Sequence, residues 1–335
     1  MSSRYQNAAR ALRSAIDGRA DDAMRELVRA ATLAANSHNT QPWCFEIGED
    51  RIVIRPDFDR RTPVVDPDDH HLYASLGCAA ENLAVAASVL GLAATVRFAG
   101  EGVEVVLNRV EIEPSSLAAQ IPVRQCTRME YDGRKLADRD LRRLEEAGRR
   151  ATVDCRIFSG EAELAELCDL VVEANTCQLE NNAFIGELAD WIRFNDSHAL
   201  EERDGLYSGA MGSPRIPAWL GRRLLPFVLR PASENKKYAA QVRSSAGLAV
   251  FCARQDGPEG WVEAGRAYQH FALVATQMSL KHAFVNQPVE VAAMRPKLAG
   301  LAGFAGRRPN LLVRFGYGPQ APYSLRRPVG DVIMS

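Results

Sequence analysis

No C-x-x-C pair occurs among the seven cysteines (Cys44, Cys78, Cys126, Cys155, Cys168, Cys177, Cys252), and their number is odd. A disulfide framework and a structural zinc site are therefore not expected, and a reduced compartment is. Neither sign of charge is in excess. With 41 Lys+Arg against 42 Asp+Glu the net charge is -1, so bulk attraction to nucleic acid or to a membrane is not expected, and any phosphate recognition has to be local. Apolar runs are short: Leu224-Leu-Pro-Phe-Val-Leu229 is far below the roughly 20 residues of a membrane span. Met1-Ser-Ser-Arg-Tyr5 holds neither a twin arginine nor an apolar h-region, from which a cytoplasmic location is expected. What is present is an ordinary globular composition, 47% hydrophobic over 335 residues, enough for one large core or two small ones.

The order of elements repeats. Asp21-Asp22 precedes the apolar positions Met24, Leu27, Val28, Ala31, Leu33 and Ala34, a capped amphipathic helix that ends in the polar turn Asn36-Ser-His-Asn39. The strand Cys44–Ile47, its hairpin partner Ile52–Ile54, a loop from Pro63 to Asp69, a long helix from about His71 to Leu90 and the strand Val103–Leu107 follow, with Gly91 closing the helix. Farther on, Gly265-Arg-Ala-Tyr-Gln-His-Phe-Ala-Leu-Val-Ala-Thr-Gln-Met-Ser-Leu280 aligns without a gap on Gly77-Cys-Ala-Ala-Glu-Asn-Leu-Ala-Val-Ala-Ala-Ser-Val-Leu-Gly-Leu92. Leu141–Ala147 then stands for the first helix and Asp154–Phe158 for the first strand. A unit this long is a copied domain, not a solenoid repeat. The second copy carries an extra segment, about 160–235, too long for a structureless loop and read as a helical lid. Within it Trp219–Phe227 is an apolar, basic strip; a membrane-surface helix is disfavoured there because Gly221 and two prolines interrupt it.

Four motifs carry chemistry. Asn36, Ser37 and Asn39, followed by Gln41-Pro-Trp43, place small polar side chains and turn amides just past a helix, suited to a chain of hydroxyls. Arg124-Gln-Cys-Thr-Arg128 sets two arginines around Cys126. Asn286-Gln-Pro-Val-Glu290 follows the second long helix, and Tyr323-Ser-Leu-Arg-Arg-Pro-Val329 brings Arg326 and Arg327 to the tail.

Together these resemble the FMN-dependent nitroreductases. The resemblance implies an α+β, nitroreductase-like fold duplicated in one chain as a pseudo-dimer, with antiparallel central sheets flanked by helices and a helical lid. Residues 1–115 would be one copy and 120–335 the other, which carries the lid. It implies one FMN per chain. Asn36, Ser37 and Asn39 would meet its ribityl chain and phosphate; Arg124, with Cys126 at the family's serine position, would clamp the phosphate, and Arg128 would sit at the N1–C2=O edge. Pro288, Val289 and Glu290 would form the P-x-E loop, with the Glu290 amide toward N5, and of Arg326 and Arg327 the former would reach the phosphate. The turn lies in the first copy and the other three motifs in the second. The mirror site has no such motifs, since Ala147–Val153 lacks S-x-N and Ala93–Val96 lacks P-x-E. The fused, lidded arrangement resembles the Acg-like branch of that superfamily, although many relatives there carry a twin-arginine signal. Hydride transfer from NAD(P)H through flavin N5 to a nitro or quinone acceptor is the implied activity, in a monomer. The alternative is a flavin-binding or storage protein whose lid excludes both substrates.

Other motifs weigh less. Asp66-Pro-Asp-Asp-His-His71 reads as an acidic helix cap before it reads as a metal cluster. Gly300–Gly306 fits neither a dinucleotide fingerprint nor a P-loop, and His270 is read as a packed residue of its helix.

Overall fold

The computed structural model describes residues 2–334. The first half runs α1 (Ser3–Ala11), α2 (Ala23–Thr32), β1 (Trp43–Ile47), β2 (Arg51–Pro56), α3 (His70–Ala87), β3 (Leu92–Ala99) and β4 (Gly102–Arg109). The second begins with α4 (Asp138–Ala147) and β5 (Val153–Phe158). A long excursion follows through α5 (Glu161–Leu179), α6 (Asn182–Trp191), β6 (Ile192–Arg193), α7 (Asp196–Glu202), β7 (Leu206–Tyr207), α8 (Ala218–Val228) and α9 (Pro231–Arg243). It closes with β8 (Gly247–Ala253), α10 (Pro258–Gln277), β9 (Lys281–Phe284), α11 (Gln287–Glu290), α12 (Arg295–Leu301) and β10 (Leu311–Gly316).

Two four-stranded sheets result, ordered β1-β2-β4-β3 and β5-β8-β10-β9, with every pairing antiparallel. The orders coincide once β5, β8, β9 and β10 are set against β1, β2, β3 and β4. In each sheet a long helix, α3 or α10, joins the second strand to the third. This is an α+β fold of antiparallel sheets and helices, as the resemblance implies.

The long helices form the centre. Asp22 caps α2 by accepting the Arg25 amide (2.9 Å), and Asp66 caps α3 by accepting the amides of His71 and Leu72 (2.9–3.0 Å). Every residue of α3 except Ala84 is buried, so the stretch His70–Leu90, apolar and long enough to cross a membrane, is here an inner helix. It packs on α10 at two glycines. A Cβ on Gly77 would lie 1.9 Å from the Val262 carbonyl oxygen, and one on Gly265 would lie 1.9 Å from that of Ala74. In the ungapped alignment 74 and 77 stand against 262 and 265, so the two contacts exchange partners. The polar contacts do the same: Gln269 Nε2 donates to Asn82 Oδ1 (2.6 Å), and His270 Nδ1 meets Glu81 Oε1 (3.1 Å). His270 is therefore not simply packed. Its side chain is 36% exposed, and it joins Arg150 and Arg266 in compensating the buried Glu81 carboxylate.

The second sheet is covered on both faces. Ala249, Phe251, Val313 and Phe315 face the α10 core, while the alternating Leu248, Val250 and Leu312 face a smaller core shared with α5. The excursion thus supplies a packed layer through α5 and α9, with α6 to α8 lying beyond it. Gly221 and Pro226 are expected to interrupt this segment, but α8 runs through both, with Pro226 in its last turn and Gly221 letting the helix close on the Phe194 ring. At the far end the tail returns to the first sheet: Phe45 bridges Ile333, and the Met334 amide donates to the Phe45 carbonyl (2.9 Å).

Candidate functional site

The two halves and the excursion enclose a cavity of about 520 Å³, within the usual size range of small-molecule sites. Asn36, Ser37 and His38 line it from the turn after α2, and His71, Ser75 and Cys78 line it from α3. Arg128 and Glu290 come from the second half, and α6 to α8 with their loops close it with apolar side chains such as Phe184, Phe194, Leu206 and Leu225.

The turn is held under strain. His38, Asn39 and Gln41 all have left-handed backbones (φ 47°, 57° and 56°), half of the six such non-glycine residues in the described chain. Each costs about 1–3 kcal/mol, and such strain gathers where function needs it. Polar ties hold it in place: the Gln41 amide donates to Asn36 Oδ1 (2.9 Å) and the Ser37 amide to Ser75 Oγ (3.2 Å). Asn39 is buried behind the cavity wall. Its Nδ2 donates to the Gly205 carbonyl (3.0 Å) and its Oδ1 accepts from Arg326 (2.6 Å), so it joins turn, excursion and tail. His38 and His71 both prefer the neutral form. Burial, then the charge of Arg128, push the His38 imidazole down to about 4, and burial lowers His71.

Behind the turn lies a cluster of guanidinium groups. Arg124 and Arg326 are buried (2% and 7% exposed), with Arg13 partly buried beside them. Arg326 donates to the carbonyls of Thr32 and Ala34, and Arg124 donates to that of Leu33 (2.7 Å), all at the C-terminal end of α2. Arg13 donates to the carbonyls of Pro122 and Arg124. No Asp or Glu pairs with any of the three among the described residues, and Arg124 Nε is buried without a partner. Burial, then the Arg124 charge, push Arg13 down to about 9; burial, then Arg13 and Arg124, lower Arg326. The group nearest to a counter-charge is Cys126, whose Sγ lies 3.7 Å from Arg124 Nη1. Burial alone would raise that thiol, but the neighbouring His282 and the charges of Arg124 and Arg128 bring it down to about 5. Arg327 points elsewhere, with Nη1 3.6 Å from Asp57 and Nη2 bonded to the Asp331 carbonyl.

The 287–290 loop is a single helical turn. The Glu290 amide donates to the Asn286 carbonyl (2.9 Å), so in this structure it does not point into the cavity as the sequence reading has it. Pro288 and Val289 are buried, Val289 in the core beneath the second sheet. The Glu290 side chain is what faces the cavity, 3.7 Å from His71 Nε2 and accepting from Gln178; burial raises its pKa. Of the residues singled out in the sequence, Asn36, Ser37, Arg128 and Glu290 line the cavity, while Asn39, Arg124, Cys126, Arg326 and Arg327 lie outside its lining; Arg13 of the arginine cluster and His38, His71 and Gln178 of the cavity wall are not among the expected site residues. Arg13 lies in an irregular stretch with no motif around it, and His71 reads only as part of a cap.

No family model matches the chain. Two curated proteins of Mycobacterium tuberculosis, from strains CDC 1551 and H37Rv and each named "Putative NAD(P)H nitroreductase", are 25% identical to it over 345 residues, 96% of this chain and 96% of theirs. The chain is similar to nitroreductases along nearly its whole length. Among solved structures, the nitroreductase-like family protein of Bacillus cereus shares 17% identity over 65% of this chain and 94% of its own (TM-score 0.40). The FMN-dependent nitroreductase NfnB of Mycobacterium smegmatis in complex with NADPH shares 14% over 63% and 94% (TM-score 0.42).

Proposed function

We propose that this protein is an FMN-dependent NAD(P)H oxidoreductase that holds one FMN between two copies of a nitroreductase-like fold. The buried guanidinium cluster carries the reading. Three arginines with no carboxylate partner among the described residues, one of them with an unpartnered Nε, suit an oxyanion, and a phosphate offers pairs of oxygens that accept the guanidinium N–H groups. The cluster stands behind the polar turn, and the turn opens on an apolar cavity. Phosphate, hydroxylated chain and flat ring thus have neighbouring partners in Arg124, Arg13 and Arg326, in Asn36 and Ser37, and in the cavity with Arg128 at its wall.

FMN, when bound, supplies two-electron exchange at its ring. The chain's own residues bind it, keep water out and set the local charge, with Arg128 favouring negative charge at the ring edge. The matched strand orders and the exchanged contacts of α3 and α10 support two copies related by a pseudo-twofold axis. The name of the M. tuberculosis relatives supports NAD(P)H as the reductant, and the acceptor class is a nitro compound or quinone. The α6 to α8 wall favours a second reading, flavin storage behind a closed lid.

The test starts with the absorption spectrum of the purified protein and a titration with FMN, expected to saturate at one equivalent. NADPH oxidation with menadione or nitrofurazone is then expected to turn over. A protein that stays colourless and refuses FMN overturns the proposal; bound flavin that photoreduces but does not turn over replaces it with storage.

A further inference from the structure

The outer face of α8 differs from the rest of the surface. Trp219 and Phe227 are 71% and 67% exposed. At about 100° per residue, Trp219, Arg222, Arg223, Pro226 and Phe227 fall within one arc of about 140°. Gly221 and Leu225 lie on the opposite side, buried against Phe194. From Arg215 to Lys237 the chain holds four arginines and two lysines against one acid, Glu234, in a molecule whose net charge is -1. Arg215 and Arg222 each pair with one acid, Asp196 at 3.6 Å and Asp190 at 4.0 Å, and Arg223 and Arg230 have none among the described residues.

We propose that α8 docks the protein on an anionic lipid bilayer, with Trp219 and Phe227 at headgroup depth and Arg222 and Arg223 against lipid phosphates. The pattern of the face selects this partner. Guanidinium groups alternate with aromatic rings on one arc, so a protein groove that buried the rings would also bury unpaired cations. At a bilayer interface the rings reach the acyl boundary while each arginine meets a phosphate. Net charge hides this face, because the acids that balance it lie elsewhere in the chain.

The experiment uses the full chain and vesicles of equal parts phosphatidylglycerol and phosphatidylcholine, beside vesicles of phosphatidylcholine alone, read by flotation and by tryptophan emission. Binding to the anionic vesicles, release by high salt and a blue shift that Trp219→Phe removes are expected. Trp219→Ser with Phe227→Ser, and separately Arg222→Glu with Arg223→Glu, are each expected to weaken binding by about tenfold or more at an unchanged melting temperature, since all four side chains are exposed. No binding, equal binding to neutral vesicles, or binding that survives both double substitutions overturns the proposal. So does a dimer in light scattering that Trp219→Ser abolishes, because the face would then belong to a second copy. None of these readouts depends on flavin.

Discussion

A guanidinium group taken out of water needs either an anion or enough carbonyl oxygens, and Arg124 has neither in full: one carbonyl, a sulfur at 3.7 Å and an unpartnered Nε. If a phosphate completes the set, Arg124→Ala removes a charge-assisted contact of about 1.5–3 kcal/mol, and FMN affinity falls roughly ten- to a hundredfold. Riboflavin, which has no phosphate, loses far less. Equal losses in the two titrations would assign Arg124 to the fold or to the ring. His38 gives a pH signature. Its imidazole is held at about 4 in the folded chain against about 6.5 when unfolded, so the folded state binds fewer protons between those values. Stability from this source is complete above about pH 6.5 and is lost as pH falls toward 4. His38→Gln is expected to flatten the slope of melting temperature against pH in that window; an unchanged slope would place the titration elsewhere. At this scale the sequence was legible where a motif is local, as in Asn36–Asn39. It was silent about Arg13, and it could not show that the Asn39 side chain binds protein carbonyls, since both depend on chain segments more than a hundred residues away.

Among the elements, α3 and α10 set the tightest tolerance. A methyl group on Gly265 would sit 1.9 Å from a backbone oxygen that no rotamer change can move, so Gly265→Ala has to push the helices apart. A loss of about 3 kcal/mol is expected from urea unfolding. Gly300→Ala, where the new methyl meets nothing within 4 Å, is the control and is expected to stabilise α12 by about 0.5–1 kcal/mol. Equal effects would mean that the crossing is looser than its glycines indicate. The long helices and β1, β2 and β4 were legible because their periodicity is strong. α1 and β3 were not: α1 is polar along most of its length, and β3 has an irregular burial pattern with little apolar alternation. The sequence rule that glycine and proline break helices misread α8, where one sits on the buried face and the other in the final turn.

For the whole molecule, the correspondence of α3 with α10 was legible because the two helices align without a gap, while the split of the excursion into a core layer and a cavity wall was not. That split depends on which faces of α5 and α9 meet the second sheet, a matter of tertiary packing. With α3 and α10 already paired within one chain, the interface of a two-copy assembly is satisfied internally, and light scattering is expected to show a monomer. An obligate dimer would count against the internal pairing.

The returning tail has a consequence for synthesis and unfolding. Residues 333 and 334 complete the edge of a sheet whose own strands end at Arg109, and α10 completes the helix pair that α3 begins. Neither half is therefore an autonomous folding unit. On the ribosome the first half waits, with the contact face of α3 uncovered, until almost the whole chain has emerged. Contacts of such sequence separation fold slowly, and they tie the two sheets into one cooperative unit. Calorimetry is expected to show a single transition whose van't Hoff and calorimetric enthalpies agree. Ending the chain after Arg327 is expected to lower its midpoint without splitting it, whereas two separated transitions would show that the halves melt independently.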